Sequence, residues 1–309
     1  FKKKNNFLIK IKNINFSNYG YQKYQFHGVL FDKKFKASLA NNNKRLSFQL
    51  LNSGIKANFE FNNKSTINLI KGSSKVSILG NLFLFNFYLN SNELKIIQSN
   101  FRNEKLSLSL DTLIKFSPFF SITSKININE IAKNLVGTIN LDKILKNKEI
   151  IKKLNSEVNI NYKSKKFFTE LINSYQSDSS LSHGRLVFSN KIFITGGEMN
   201  CEGEGVLIDE YPRLNFICLI KTSSTKKLLR KFSISKKIND EPLNLYVEGS
   251  LNLLNKKINF KKINNKKSYS ANLSDLKYFK EKFENILFDE SFFKIFDKDK
   301  IKQFLLEIV

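Results

Sequence analysis

Several residue types that mark particular protein classes are scarce in this chain of 309 residues. Tryptophan is absent, methionine occurs once and proline three times. Two cysteines, Cys201 and Cys218, are too few for a disulfide scaffold, and with His27 and His183 they show no zinc-ligand spacing. We therefore expect a protein without a metal ion or other cofactor.

Long apolar runs are also missing. The longest candidate, Leu79–Leu89, is interrupted by Asn81 and Asn86, and no run reaches the ~18 residues typical of a membrane-spanning helix. The chain begins at Phe1 rather than Met, so we expect it to be a fragment or a processed product, and any signal peptide or membrane anchor would lie upstream.

The common catalytic motifs GxSxG, HExxH and GxxxxGK[ST] are absent as well. Gly203-Glu204-Gly205 runs into the strand-like Val206-Leu207-Ile208 rather than into a helix. We interpret these glycines, with Gly196 and Gly197, as bulges or tight turns. His183 follows a serine, but a catalytic base needs a third, orienting group, so it is interpreted as a strand or turn residue. The protein is predicted not to be an enzyme.

Charge is the strongest compositional feature that is present. Lysine and arginine outnumber aspartate and glutamate by 52 to 27, for a formal net charge of +25. An anionic partner is one explanation. Nucleotide bias is the other, since the abundant Lys, Asn, Ile and Phe have AT-rich codons. No nucleic-acid partner is predicted, because phenylalanines such as Phe83, Phe85 and Phe87 follow strand periodicity and no Arg-rich recognition helix is present.

Alternation of apolar and polar residues is the dominant pattern, and it predicts antiparallel strands with one apolar face. Asn-rich segments at 41–44 and 62–64 are typical of the loops between strands. Their spacing predicts roughly fifteen or more strands. The clearest apolar series are Leu106-Leu108-Leu110, Val158-Ile160-Tyr162 and Leu243-Leu245-Val247-Gly249-Leu251-Leu253.

Helical periodicity is limited to segments near 142–154, 224–232 and 274–306. Ser274 is predicted to be the N-cap of the clearest helix, and Asp297 to cap a last short one. The predicted organisation has three parts: a β segment over 1–127, a continuing β segment with two helices over 128–267, and a helical segment over 268–309.

The apolar face of so many strands must be buried, and a few short helices are not enough to bury it. A second sheet, a sheet that curls on itself or a ligand would each provide it. The segment Asn81–Tyr88 (NLFLFNFY) is apolar in both phases, which predicts burial on both of its faces.

Three segments together resemble the AsmA-like family, the relatives of TamB in Gram-negative envelopes. They are the strand Ser182–Phe188 (SHGRLVF), the helix Lys226–Phe232 (KKLLRKF) and the strand pair within Lys71–Phe85 (KGSSKVSILGNLFLF). The resemblance implies an inner-membrane anchor, a periplasmic location and a long, open, taco-like groove with an apolar lining. It also implies a part in carrying phospholipids toward the outer membrane or in its assembly, without catalytic residues.

We therefore predict a mainly β protein, with a long curved antiparallel sheet forming an open groove and a few short helices, the clearest near the C-terminus. Its predicted function is to bind or conduct phospholipid, or another acyl-chain ligand, along this groove. The alternative is a structural or adhesion β-sandwich of the envelope with no lipid ligand. The predicted lining residues are Leu82, Leu84, Leu106, Leu108, Leu110, Val158, Ile160, Leu243, Leu245, Val247 and Leu251.

Whether the two cysteines can form a disulfide depends on the register of their strands, which the sequence leaves open. A hairpin that turns at Asp209-Glu210 would place Cys201 opposite Cys218 and permit a cross-strand disulfide in an oxidising compartment. A turn centred on Tyr211-Pro212 would put them out of register.

Overall fold

The computed structural model describes residues 11–18, 24–30, 33–40, 44–62, 69–78, 81–103, 106–131, 145, 148–163, 172–194, 196–235, 240–265, 269–287 and 298–308. The fold is mainly β, with 66% of the described residues in the strands of an open sheet and four short helices. The predicted fold class is confirmed. The chain divides into two compact units, Phe1–Glu130 and Ile131–Val309, and this boundary lies close to the one predicted at 127.

The first unit is an antiparallel meander without a described helix. Each strand from β1 to β9 pairs with its neighbour in sequence, and β9 pairs with β10. The strands are β1 (Ile11–Asn18), β2 (Tyr24–Leu30), β3 (Lys33–Ala40), β4 (Arg45–Leu50), β5 (Ile55–Phe61), β6 (Ile70–Ile78), β7 (Asn81–Leu89), β8 (Glu93–Arg102), β9 (Leu106–Lys115) and β10 (Ser121–Ile131).

The second unit is also an antiparallel meander, and it carries the four helices. Its strands are β11 (Asn155–Lys163), β12 (Ile172–Ser182), β13 (Arg185–Ile194), β14 (Gly197–Val206), β15 (Arg213–Thr222), β16 (Leu243–Asn252), β17 (Lys257–Asn265) and β18 (Tyr269–Ser270). Its helices are α1 (Lys148–Lys153), α2 (Thr225–Lys231), α3 (Leu273–Leu287) and α4 (Lys298–Ile308). Each of them lies in a predicted helical segment or extends at most two residues beyond its ends.

Helices α3 and α4 cover the part of the apolar face of the second unit around Leu251. Leu251 and Ile258, on β16 and β17, share a buried core with Ile286 and Leu287 of α3, against which Ile301 of α4 also packs. Helices α3 and α4 therefore form a layer on the strands of the second unit. Burial of one helical stripe on a sheet face is the usual solution for an amphipathic helix.

The start of α3 differs from the prediction. Asn272, not Ser274, is the capping residue, because its side-chain oxygen accepts a hydrogen bond from the Asp275 N–H at 2.9 Å. The Asp275 carboxylate in turn accepts one from the Asn272 N–H at 3.1 Å. This reciprocal capping box satisfies two N–H groups at once, which Ser274, two residues later, does not do. Asp297, the other predicted cap, lies outside the described residues.

His183 is the first of the two loop residues in the hairpin between β12 and β13. Ser182 pairs directly with Arg185, and the two residues between them have positive φ, 50° at His183 and 85° at Gly184. This is the two-residue loop whose twist matches that of the flanking strands, and glycine adopts it without steric cost. The prediction of a strand or turn role for His183 is confirmed.

Gly196 lies in a turn with a φ of 90°, as predicted, but the glycines of β14 are neither bulges nor turns. Gly203 lies in a regular ladder between Phe188 of β13 and Phe216 of β15. The ring of Phe188 occupies the space above Gly203, and the ring of Phe216 occupies the space above Gly249 of β16. An aromatic side chain folded over a cross-strand glycine compensates for the contacts that glycine lacks.

Substitution of Gly203 by alanine is expected to lower the free energy of unfolding by about 1–3 kcal/mol. A methyl group there would lie 2.6 Å from Cζ of Phe188 and 2.4 Å from the carbonyl oxygen of Asn215, so ring and backbone must both move. Urea denaturation followed by circular dichroism measures the change. The control is Ser189→Ala on the exposed opposite face, expected to stay within about 0.5 kcal/mol. Equal stability of the two variants would contradict the ring-over-glycine interpretation.

Candidate apolar binding surface

Direct cross-strand pairing lines up nine residues on one face of the first unit, which we call the aromatic row. Residues directly opposite each other in a ladder lie on the same face of the sheet, so successive registers trace a row across β1–β9. The members are Phe16, Phe26, Ala37, Phe48, Ala57, Val76, Phe83, Phe101 and Leu108. With strands about 4.8 Å apart, the row extends for roughly 38 Å.

Large and small side chains mix along the row, and the rings contact each other. Phe16 and Phe26 have centroids 5.2 Å apart, and Phe83 and Phe101 6.4 Å apart. Ala37 and Ala57 are buried, whereas the phenylalanines of the row are half-buried or, in Phe16, 59% exposed. No described helix or second sheet of this unit covers the row. Apolar surface patches are common at binding sites, so this face of the first unit is the candidate site.

The rest of this face is also apolar. Flanking rows hold Leu39, Leu46 and Phe59 on one side of the aromatic row and Phe35, Leu50 and Ile55 on the other. Across β2–β9, the only charged residue among the described positions of this face is Lys33, at the first position of β3.

The opposite face of the first unit is polar and basic. Arg45 pairs with Glu60 at 2.7 Å on this face, and both side chains are exposed. Its cations are Lys34, Lys36, Arg45, Lys56, Lys71, Lys75, Lys95, Arg102 and Lys115, against the anions Glu60, Glu93 and Asp111. Strand alternation therefore separates the positive charge from the apolar surface.

The predicted lining residues of the first unit divide between the two faces. Leu108 belongs to the aromatic row, and Leu106 and Leu110 lie on the same face by alternation. Leu82 and Leu84 lie on the other face, opposite Ser77 and Lys75. Leu84 is 43% exposed, so the predicted burial of Asn81–Tyr88 on both faces is wrong.

The six predicted lining residues of the second unit lie on one face of the sheet but differ in burial. Leu243, Leu245 and Val247 are half-buried, and so are Val158 and Ile160, which pair with Ser179 and Ser177. Leu251 is only 8% exposed, beneath the C-terminal helices. It is a core residue rather than part of an open surface.

The aromatic row was largely missed by sequence reasoning. Of its nine members only Leu108 was named as a lining residue. The period-two spacing of Phe83, Phe85 and Phe87 was a usable signal, and the ring contacts among them, at 4.9 and 6.4 Å, confirm that they share a face. For Phe26, Phe48 and the others, the row exists only through the pairing of separate strands.

Cys201 and Cys218 lie directly opposite each other in the β14–β15 ladder and are disulfide-bonded. The connection between these strands spans 207–212, so it is centred on Asp209-Glu210, the first of the two registers considered. The pair lies on the apolar face of the second unit, in line with Asn190 and Val247.

Two further observations concern metal binding and membrane-spanning helices. Among the described residues, no three His, Cys, Asp or Glu side chains come together as a metal site would require. None of the described helices has both the length and the apolar character needed to cross a membrane.

Comparison with protein-family models, with curated proteins and with solved structures finds no match for the chain.

Proposed function

We propose that the chain binds the acyl chains of phospholipids along the aromatic row, as an AsmA-like protein that supports outer-membrane lipid transport and assembly. The observation that carries the proposal is the row itself, nine apolar residues on nine strands over which the described residues of their unit form no covering layer. An acyl chain is a long, flexible and purely apolar ligand. It fits an extended apolar strip better than it fits a closed pocket.

Energetics support an acyl chain as the cover. Each methylene transferred from water to an apolar surface contributes roughly 0.8 kcal/mol, so about ten methylenes contribute ~8 kcal/mol before the cost of ordering the chain. The separation of charge also favours this ligand, because acyl tails on the row would meet no cation. No titratable group on the row would make such binding depend on pH.

The disulfide between Cys201 and Cys218 favours a periplasmic location, since disulfides persist in oxidising compartments. An inner-membrane anchor upstream of this chain is part of the same proposal. The protein is proposed to act without catalysis, as a surface on which lipid is held or along which it moves.

A structural or adhesion protein without a lipid ligand is the rival proposal. In its predicted form, a two-sheet sandwich, a second sheet would cover the apolar face of the first. The described strands of the first unit form no such second layer over the aromatic row. The observation therefore favours a ligand-binding surface.

Photo-cross-linking tests the proposal with little change to the fold. A benzophenone derivative of phenylalanine replaces Phe48, next to the central residue of the row, and in a matched control it replaces Leu84 on the opposite face. We expect phospholipid adducts at position 48 and none above background at position 84, with native mass spectrometry identifying the lipid. Equal labelling at both positions, or none at position 48, would refute acyl binding on the row.

A further inference from the structure

The loop between β9 and β10 carries an unusual set of exposed aromatic side chains. Its sequence over residues 116–120 is Phe-Ser-Pro-Phe-Phe, and Phe116 and Phe119 are 42% and 63% exposed. The Phe116 N–H donates to the carbonyl oxygen of Asn92 at 2.7 Å, which ties the base of the loop to the neighbouring hairpin. The two rings therefore project from a held base rather than from a free chain.

The same end of the first unit is apolar at its edge. Ile70, Leu89, Leu94 and Ile114 pair in turn across β6–β9 and form the last row of the apolar face before the loops. Ile70 is 41% exposed. Strand alternation carries this edge directly from Ile114 to Phe116, so the acyl-binding face and the aromatic loop form one continuous apolar path.

Cations lie beside this edge on the polar face. Lys71, Tyr88 and Lys95 pair across β6–β8, one position inward from the edge, and the Lys71 ammonium lies 5.3 Å from the centre of the Tyr88 ring. Lys115 is the last residue of β9, next to Phe116. Aromatic groups at a tip with lysines behind them match the layered chemistry of a bilayer surface, whose head groups lie above its acyl region.

The opposite end of the unit differs. The turn between β4 and β5 over residues 51–54 is Leu-Asn-Ser-Gly, and the described part of the β8–β9 connection is Asn103. No aromatic residue lies in these described segments. Among the described connections of the first unit, exposed phenylalanines therefore occur only at the end that carries the β9–β10 loop.

We infer that the loop of residues 116–120 inserts into the interface of a phospholipid bilayer and sets the apolar edge of the first unit against the acyl region. This inference deepens the proposed function, on which it rests, by naming the end at which acyl chains enter or leave the row. The partner is the bilayer surface, recognised by exposed phenylalanines and by lysines that face anionic head groups.

The absence of tryptophan from the chain makes a direct test available. Phe119→Trp introduces a single indole at the tip, and Tyr211→Trp places one at a second hairpin tip, where Tyr211 is 62% exposed. With vesicles of phosphatidylethanolamine and phosphatidylglycerol, we expect a blue shift at position 119 and quenching by brominated acyl chains, and neither at position 211. An unshifted indole at position 119, or equal shifts at both positions, would overturn the inference.

A loss-of-function variant completes the test. Phe116→Ser with Phe119→Ser is expected to weaken vesicle co-sedimentation by roughly a hundredfold, because two phenyl rings no longer leave water. Cross-linking of monomeric lysophospholipid at position 48, measured without vesicles, should persist in this variant. Undiminished sedimentation of the double variant would refute insertion by the loop. Absence of cross-linking at position 48 in the chain with the native loop would instead refute acyl binding on the row, without bearing on the loop.

Discussion

Replacement of Phe83 by aspartate is expected to weaken acyl-chain binding by about fiftyfold. Phe83 lies within the aromatic row, between Val76 and Phe101, and its ring also contacts Phe85 at a centroid distance of 4.9 Å. A carboxylate there would leave roughly three methylenes of the bound acyl chain without apolar contact, and each would lose about 0.8 kcal/mol of binding free energy. That loss corresponds to about fiftyfold in affinity. Titration with a monomeric lysophospholipid measures it.

The adjacent residue supplies the control for this variant. Leu84→Asp introduces the same charge one position along β7, on the opposite and more exposed face. We expect it to bind lysophospholipid as the parent chain does. Far-UV circular dichroism checks that both variants keep their strands. Equal affinities of the two folded variants would show that acyl chains do not use the row.

Reduction of the disulfide is expected to destabilise the β14–β15 hairpin by about 3 kcal/mol. Cys201 and Cys218 are 17 residues apart in sequence, and a cross-link of that length removes a corresponding amount of chain entropy from the unfolded state. Hydrogen exchange of the backbone amides of β14 and β15 reports this change within the second unit. Strands β3–β5 of the first unit serve as an internal reference and should keep their protection.

A double variant separates the effect of the bond from that of the reductant. Cys201→Ser with Cys218→Ser should show the exchange rates of the reduced parent chain, with or without reductant. Unchanged protection of β14 and β15 after complete reduction would contradict a stabilising role for the bond. The register itself, Cys201 opposite Cys218, does not depend on that outcome.

Most of the secondary structure could be predicted because it is a local property of this chain. Alternation in β9, β11 and β16 follows from the two-residue period of a strand, and each predicted helical segment holds a helix. The cap of α3 was placed two residues too late, because Asn272 and Ser274 are both good capping residues. Only the hydrogen bonds between Asn272 and Asp275 distinguish them.

The strand β7 shows where local pattern stops being informative. Leu82 and Leu84 alternate with Phe83 and Phe85, and all four are apolar, so periodicity assigns neither set to a face. The pairing with β6 decides the matter, because it puts Phe83 opposite Val76 and Leu84 opposite Lys75. Leu251 presents the complementary case. Its strand phase was predicted, but its burial depends on helices that begin more than twenty residues later in the chain.

The sequence by itself determined the class of fold, the segments that are helical and the separation of positive charge from the apolar phase, since each depends on residues near one another in the chain. Tertiary structure alone decided which apolar residues lie together. Strand register joined Phe16, Phe48 and Phe101 into one row, and helix packing closed the surface around Leu251. The physical reason is that pairing and packing are relations between distant segments, and a period read along one segment contains no information about its partner.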